Sequence, residues 1–326
     1  MLSKKHSGFT LIEIFISLAI GLVLFAGVMS IFVGLRTTTA ETSSYGAVQE
    51  NGRFAISMLS NDLMMQNFWG DYPGTLDATN LMAASPGAPV GECTGGGSNN
   101  GSFPSAVGHF RTLWGMTATQ ASHMGCITDA KVNSDIIQLK RVTAFPLPSV
   151  PPALPVAPAG NYYFTSNLTT AAFFLGGGAT PNIENSNTWQ YRHHVYYVRE
   201  ESVGTETVPV LMRRQLTTTM TGAPVIDGIE VIRFMYGVDS DDDGVVNAFI
   251  SADNVSDLFW NNGNSTNILA VKIYVLARDV HPDRKYENKN TYQLGDLALT
   301  FNDNYRRLLF SSTVTLFNAR VDEWPP

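Results

Sequence analysis

The stretch GFTLIEIFISLAIGLVLFAGVMSIFVGL, residues 8–35, is the most informative part of this chain. From Phe9 to Leu35 it is mostly apolar and has a single charged residue, Glu13. As an α-helix this run is roughly 40 Å long, whereas the hydrocarbon core of a bilayer is about 30 Å thick. The sequence therefore predicts a transmembrane helix over residues 9–35.

The residues that flank this helix predict its orientation and the fate of the N-terminus. Lys4 and Lys5 precede it and Arg36 follows it, and the positive-inside rule then favours a cytoplasmic N-terminus. An ordinary secretory signal has a small-residue cleavage site after its apolar run. Here Arg36 and three threonines stand there, and the small residue, Gly8, comes before the run. We therefore expect a short leader, residues 1–8, and a retained anchor.

The segment from Gly8 to Glu13, GFTLIE, resembles the cleavage and methylation motif of type IV prepilins. The resemblance implies that a prepilin peptidase cuts after Gly8 and methylates the new amine of Phe9. It also implies a single-pass inner-membrane protein with a periplasmic head that later enters a pilus fibre on the cell surface. The alternative to a prepilin is a plain signal anchor with a glutamate near the membrane interface.

Glu13 has a physical argument of its own, because a carboxylate inside an apolar helix costs several kcal/mol unless it is paired. Cleavage after Gly8 would create an amine on Phe9 at the same membrane depth. In a bundle of such helices, Glu13 of one chain and the amine of the next could neutralise each other and set the axial register. Major pilins commonly carry a proline near the position of Ser30, which is absent here, so the resemblance favours a minor pilin.

The composition limits the classes of function. Only 15% of the 326 residues are charged, against about 25% in typical globular proteins. The net charge of −7 argues against a nucleic-acid-binding fold, which needs a basic face. We find no Gly-x-Ser-x-Gly elbow, P-loop or HExxH motif, and therefore expect a protein that is not an enzyme.

The pattern after the membrane span predicts that the helix continues over residues 36–70 and stops at Gly70. Its expected apolar face consists of Phe54, Met58, Met65, Phe68 and Trp69. The remainder, residues 71–326, is expected to form a globular, β-rich head. Within it, residues 71–101 read as loop, and the Gly/Ser/Asn-rich stretch at 95–101 is expected to be flexible.

Several segments rich in β-branched and aromatic residues predict strands. They are residues 134–144, 194–199, 208–213, 228–236, 268–277 and 308–317. No helix-length periodic pattern separates them, so the sheet should be mainly antiparallel. The proline-rich segment 146–158 is expected to be an extended loop. The predicted fold class is α+β: one long helix packed on a mainly antiparallel β-sheet head with long loops.

The segment DSDDDG at 239–244 fits the first half of an EF-hand-type calcium loop, with aspartates at positions 1, 3 and 5 and glycine at position 6. Asp239, Asp241 and Asp243 are the expected carboxylate ligands, and the Val245 carbonyl and Asn247 would complete a Ca²⁺ site. Position 12, where a bidentate glutamate is expected, is an isoleucine. The alternative is an acidic hairpin turn without a metal.

The cysteine and histidine content points to stabilisation rather than to a metal centre. Cys93 and Cys126, the two cysteines of the chain, are expected to form a disulfide in the oxidising periplasm; two free buried thiols are the alternative. His193 and His194 are adjacent on a predicted strand, where successive side chains point to opposite faces. They are therefore not expected to hold one metal ion.

Further segments resemble the PilW family of minor pilins. They are residues 49–55 with Asp62-Leu63 and 68–70, residues 236–244, and residues 306–318. The resemblance implies a subunit that assists initiation or assembly of a type IV pilus at or near its tip. Its implied partners are other minor and major pilins, the inner-membrane assembly machinery and a tip adhesin. A pseudopilin of a type II secretion system and a pilin-anchored adhesin are the alternatives.

Overall fold

A computed structural model describes residues 8–149, 154–263 and 266–319 of the chain. The predictions for the leader residues 1–7, and for residues 150–153 of the proline-rich loop, lie outside this range. The chain forms two compact units, Met1–Ala47 and Val48–Pro326. The first consists, where it is described, of a short N-terminal stretch and most of helix α1, and the second contains the end of α1 and the β-rich head.

Helix α1, Leu11–Met64, confirms the predicted apolar helix. Of the described helices it alone is long and apolar enough to cross a membrane, and its most apolar window is not buried. Its large side chains between Leu11 and Leu35 are exposed, so this stretch has no protein core of its own to cover it.

The predicted end of the helix at Gly70 is wrong, because α1 ends at Met64. Asn67 adopts a left-handed conformation with φ of 58°. Its side chain accepts a hydrogen bond from Trp69 Nε1 (2.9 Å) and donates one to the Asn318 carbonyl (2.8 Å). These bonds turn the chain out of the helix and fix Trp69 in the head. Asparagine tolerates this conformation better than most residues, and it stands here in the role that we expected of Gly70.

The predicted buried face of the helix is also wrong, except at Met58, which is partly buried against the core. Phe54 is 48% exposed, and Met65, Phe68 and Trp69 lie beyond the end of α1. The buried positions carry smaller side chains and follow a spacing of three or four residues: Val48, Gly52, Ala55, Leu59 and Leu63. A Cβ atom at Gly52 would overlap the Phe310 ring. Close approach of the helix to the sheet therefore selects small residues here.

The strands in chain order are β1 (Leu113–Thr117), β2 (Asp135–Val142), β3 (Tyr162–Ser166), β4 (Ala171–Leu175), β5 (Asn187–Val203), β6 (Glu206–Leu216), β7 (Met220–Asp227), β8 (Ile229–Asp239), β9 (Ala248–Ser251), β10 (Asn267–Arg278), β11 (Thr291–Leu294), β12 (Leu297–Thr300) and β13 (Arg307–Thr315). A 3-10 turn, Ala252–Asn254, and a short helix α2, Asp257–Trp260, lie between β9 and β10. Each of the six predicted strand segments coincides with one of these strands, so those predictions are confirmed.

The strands form three sheets in which every strand pair among the described residues is antiparallel. A seven-stranded sheet has the order β1-β2-β5-β3-β4, with β6 paired to β5 and β7 paired to β6. A four-stranded sheet has the order β13-β10-β8-β9, and β11 and β12 form a hairpin. This confirms the expected α+β class with a mainly antiparallel sheet.

Two hydrophobic clusters hold the head together. The first joins the end of α1, through Leu59 and Leu63, to β2, β8 and β10, where side chains such as Phe234 and Ile273 are fully buried. The second is aromatic and is built around Trp69, whose ring centroid lies 5.3 Å from that of Phe164. Packing of this kind is the dominant favourable contribution to folding.

The glycine-rich segment at residues 95–101 is packed rather than flexible, contrary to expectation. Asn100 is 1% exposed and its amide donates to the Gly96 carbonyl at 2.9 Å. Arg111 Nη1 donates to the same carbonyl at 2.7 Å. Gly97 has φ of 80°, and a Cβ atom there would overlap the Arg111 guanidinium. The glycines in this segment allow the backbone to approach a buried cation.

Candidate assembly segment and cation site

The beginning of α1 is closed by a reciprocal pair of polar side chains. Glu13 accepts hydrogen bonds from the backbone N–H and the hydroxyl of Thr10, both at 2.8 Å. The Glu13 N–H in turn donates to Thr10 Oγ1 at 3.4 Å. This is a capping box, in which the N-cap residue and the third helical residue satisfy each other's backbone donors. Glu13 therefore has a local role in the uncleaved chain besides the intermolecular one expected from sequence.

The expected cleavage bond between Gly8 and Phe9 lies before the helix begins. Both residues are exposed, and the Phe9 side chain is 86% accessible. A Cβ atom at Gly8 would meet nothing within 4 Å. The peptide bond is therefore outside the helical hydrogen-bond ladder and open to an enzyme.

The acidic segment after β8 folds into a tight loop around one carboxylate. Asp239 is buried, and it accepts hydrogen bonds from the backbone N–H groups of Asp242 and Gly244, each at 2.9 Å. A third bond comes from the Asp241 N–H at 3.3 Å. Burial alone would raise the pKa of Asp239, but these backbone donors outweigh it and lower the pKa. Asp239 is therefore held as a carboxylate.

Carboxylate oxygens of Asp239, Asp241 and Asp243 lie within 4.8 Å of one another, an arrangement that could hold a metal ion. Hard oxygen donors of this kind suit calcium, which takes six to eight oxygens at about 2.3–2.6 Å. The fully buried Asp239 and the exposed Asp241 and Asp243 would supply three of these oxygens. The donor set and its spacing thus fit the first half of the loop that the sequence predicts.

The second half of the loop fits calcium less well. Asn247 Oδ1 accepts from the Ser240 N–H at 2.6 Å, and its amide nitrogen donates to Asp241 Oδ1 at 3.1 Å. Asn247 thus closes the loop and has its oxygen engaged. Val245 lies in the loop, and its N–H donates to Asp243 Oδ1 at 2.8 Å. Ile250 pairs with Tyr236 in the sheet, so position 12 adds no carboxylate.

The predicted disulfide between Cys93 and Cys126 is confirmed. The Cα atoms are 5.0 Å apart, within the usual range for a disulfide. Both half-cystines are buried in the aromatic cluster. The bond joins the segment that precedes β1 to the segment that follows it.

The histidine pair confirms the expectation of opposite faces. His193 is fully buried with Nδ1 3.2 Å from Ser102 Oγ and Nε2 2.8 Å from Gln138 Nε2. Burial lowers the pKa of His193 well below its usual range, so this ring is neutral. His194 faces a different partner, Asp62 of helix α1.

Asp62 is the centre of a buried polar cluster that sequence reasoning missed. It is 4% exposed and accepts from Arg141 Nε (2.6 Å), His194 Nδ1 (2.6 Å) and the Tyr196 hydroxyl (2.8 Å). Burial would raise the pKa of Asp62, but the charges of His194 and Arg141 and these hydrogen bonds lower it well below its usual range. A charged residue on the buried side of a helix, three positions after Leu59, was the available signal.

Two family models match the chain. The model described as prokaryotic N-terminal methylation motif matches residues 3–29, which include Gly8, Phe9 and Glu13. The model described as type IV pilus-assembly protein W, PilW, matches residues 195–318. That range begins inside β5 and includes the acidic loop and the four-stranded sheet. No curated protein and no solved structure is significantly similar to the chain.

Proposed function

We propose that this chain, a type IV pilus-associated pilin by its two family matches, is a PilW-type minor subunit that assists initiation and assembly of the fibre at or near its tip. One observation carries the proposal. A helix that has the methylation motif and exposed apolar side chains is followed, in the same chain, by a PilW-type β-sheet head. The helix supplies the part that inserts among other pilins, and the head supplies recognition.

The size of the head supports a place at the end of the fibre. The second compact unit spans Val48–Pro326, and several of its loops carry exposed apolar side chains, among them Phe145 and Leu168. In a shaft, every head is enclosed by neighbours above and below. At the tip one side is free, so a large and loop-rich head meets fewer steric restrictions.

The expected partners follow from the path that the chain would take. A prepilin peptidase cleaves after Gly8 and methylates Phe9, the inner-membrane assembly machinery lifts the subunit out of the bilayer, and other minor and major pilins surround its helix. A tip adhesin is a further candidate partner. The Cys93–Cys126 disulfide supports a head on the oxidising, periplasmic side.

Glu13 is the residue on which insertion beside other pilins should depend. In the uncleaved chain it caps its own helix through Thr10. After cleavage, the amine of Phe9 lies near the carboxylates of neighbouring helices, and an ion pair in an apolar medium is far stronger than in water. Helices that form this pair share one axial register, which a fibre requires.

The experiment that tests this role compares Glu13→Val with Glu50→Val, a change of an exposed acid farther along the same helix. Each variant replaces the wild-type gene in the organism that makes the pili, and the subunit is quantified in sheared pili and in total membranes. We expect Glu13→Val to be processed and inserted in the membrane but depleted from pili, and Glu50→Val to behave as wild type. Equal recovery of Glu13→Val in pili would refute the pairing argument.

We also propose that the acidic loop binds calcium. The supporting observation is the convergence of three carboxylates around the buried Asp239, whose backbone hydrogen bonds fix the loop before any ion arrives. Because the second half of the loop supplies few ligands, the dissociation constant for calcium should be that of extracellular modules, about 10⁻⁴–10⁻³ M. Millimolar external calcium is enough to fill such a site.

A pseudopilin of a type II secretion system is the second candidate, favoured by the combination of a pilin-type N-terminus with a calcium-type loop. The PilW match over residues 195–318 favours the pilus instead. Deletion of the gene separates the two functions: loss of surface pili with normal protein secretion supports the first, and the reverse supports the second. An anchored adhesin would leave both intact and reduce attachment alone.

A further inference from the structure

Lys140 in β2 is a buried amine that the proposed function does not use. Its side chain is fully buried. Nζ donates hydrogen bonds to Asn100 Oδ1 at 2.8 Å and to the Arg111 carbonyl at 2.7 Å, and it lies 4.4 Å from the centroid of the Phe110 ring. Buried lysines usually have a carboxylate partner. Among the residues that the structure describes, Lys140 has none within ion-pair distance.

The surroundings of Nζ are those of a neutral amine. A neutral amine has two hydrogens, and the described residues offer it two acceptors, Asn100 Oδ1 and the Arg111 carbonyl. Burial, aided by the positive charge of Arg111, lowers the pKa of Lys140 well below its usual range and outweighs the opposing effect of Glu92. A desolvated lysine of this kind has a free electron pair and is a nucleophile.

The group that this nucleophile meets is the side-chain amide of Asn100. Asn100 is 1% exposed, and its Nδ2 donates to the Gly96 carbonyl at 2.9 Å. The amide is thereby fixed with its oxygen toward Lys140. Cγ is bonded to that oxygen, so a small rotation brings it to the separation of about 3–3.5 Å at which positioned groups react.

We propose that Lys140 and Asn100 become joined by an intrachain isopeptide bond. The electron pair of Lys140 Nζ attacks Asn100 Cγ, and a bond forms between them. In the tetrahedral intermediate both nitrogens are bonded to Cγ, and one proton passes from Nζ to Nδ2. The bond between Cγ and Nδ2 then breaks, and ammonia leaves. The products are a secondary amide and one ammonia, and the reaction requires neither oxidant nor cofactor.

The position of this bond gives it a clear structural consequence. Asn100 lies between Cys93 and Cys126 in sequence, inside the loop that the disulfide closes, whereas Lys140 lies in the seven-stranded sheet. That loop contains β1, which already pairs with β2. The disulfide joins the two ends of the loop, and the isopeptide bond ties its first part, which precedes β1, directly to β2. A head that carries this bond would keep the loop docked under a pulling force, even when the disulfide is reduced.

The test is the mass of the full-length wild-type chain, extracted from membranes with detergent, reduced and denatured. We expect a mass lower by one ammonia than the mass calculated for the chain that starts at Phe9 with a methylated amine. Digestion with trypsin should give one linked peptide pair that contains both Asn100 and Lys140, with no cleavage after Lys140. Separate, unmodified peptides with Asn100 and Lys140 in the wild-type protein would overturn the proposal.

Variants separate this bond from another loss of ammonia, because an Asn-Gly sequence such as Asn100-Gly101 can form a succinimide by itself. Lys140→Met should abolish the loss, whereas Lys272→Met, which removes a partly exposed lysine near the Tyr274 ring, should leave it intact. Loss of ammonia that persists in Lys140→Met overturns the proposal. Asn100→Asp, which keeps a carboxyl carbon at the same position but loses the hydrogen bond to the Gly96 carbonyl, should give the same linked peptide pair by loss of water.

Discussion

Replacement of Asp62 by alanine tests whether the buried cluster between helix α1 and the sheet holds the head together. In the wild type, Asp62 accepts hydrogen bonds from Arg141, His194 and Tyr196. The alanine variant leaves the Arg141 guanidinium, whose side chain is 11% exposed, without its anion. Breaking a buried ion pair by removal of one partner costs about 3–5 kcal/mol.

The measurement is thermal unfolding of the head, produced from residue 36 onward. In domains of 150–250 residues, 1 kcal/mol shifts the Tm by about 2–4 °C. The head is larger than that, so we take the lower value and expect a decrease in Tm of about 6–10 °C. Glu50→Ala, which changes an exposed acid on the same helix, is the control and should change the Tm little.

The dependence on pH gives an independent test of the same cluster. The pKa of Asp62 in the folded protein lies well below its usual range, whereas an aspartate in an unfolded chain has a pKa of about 3.9. Its contribution is therefore complete above about pH 5 and is lost as the pH falls through the lowered folded pKa. The difference in Tm between wild type and Asp62→Ala should be constant from pH 7 to about 5 and shrink below about pH 4.

A double variant identifies the source of the effect. Removal of both partners, as in Asp62→Ala with Arg141→Met, leaves no unpaired guanidinium in the core. We expect this protein to be more stable than Asp62→Ala alone. If Asp62→Ala unfolds at the same temperature as the wild type, or if the double variant shows simple additivity, the assigned role of the ion pair is refuted.

Three further predictions concern other parts of the head. Gly52→Ala should lower the stability of the head by about 1–3 kcal/mol, because the new Cβ atom overlaps the Phe310 ring. Gly46→Ala, whose Cβ atom meets nothing within 4 Å, should raise the stability by about 0.5–1 kcal/mol. Equal Tm changes in the two variants would contradict the contact between Gly52 and Phe310. Replacement of Cys93 and Cys126 by serine should cost roughly 4 kcal/mol, and thiol labelling of the unreduced wild type should detect neither cysteine; prompt labelling would exclude the bond. Millimolar calcium should raise the Tm of the wild-type head above its value in chelator, because binding at a hundredfold excess over Kd stabilises the folded state by about 2.7 kcal/mol. Asp241→Ala should abolish this increase, and Asp227→Ala should retain it. If calcium does not change the Tm of the wild type, the loop is only a turn.

The sequence predicted the features that depend on local pattern. The apolar run, the six main strand segments and the pairing of the two cysteines could be predicted because periodicity, residue type and cysteine count each leave few alternatives. The length of β5 and the strands β3 and β4 were not predicted, since their segments are short or interrupted by polar residues such as Thr165 and Arg192.

The errors all arose where tertiary contacts override local preference. The helix stops at Met64 because Asn67 and Trp69 are held by the head, including the distant Asn318. Its buried face uses Gly52 and Ala55 because a close approach to β13 excludes the larger side chains that the apolar pattern favoured. The glycine-rich segment is ordered by the buried Arg111. Arg111 lies outside that segment, so the composition of the segment could not predict this contact.

The N-terminus of the mature chain tests the proposed function most sharply, because insertion among other pilins depends on its processing. The chain is recovered from sheared pili and from membranes, and its N-terminal peptide is identified by mass spectrometry. We predict that both samples begin at Phe9 with a methylated amine, as expected for a bond that lies before the helix at an exposed Gly8. A chain that begins at Met1, or after the apolar run, would contradict the account.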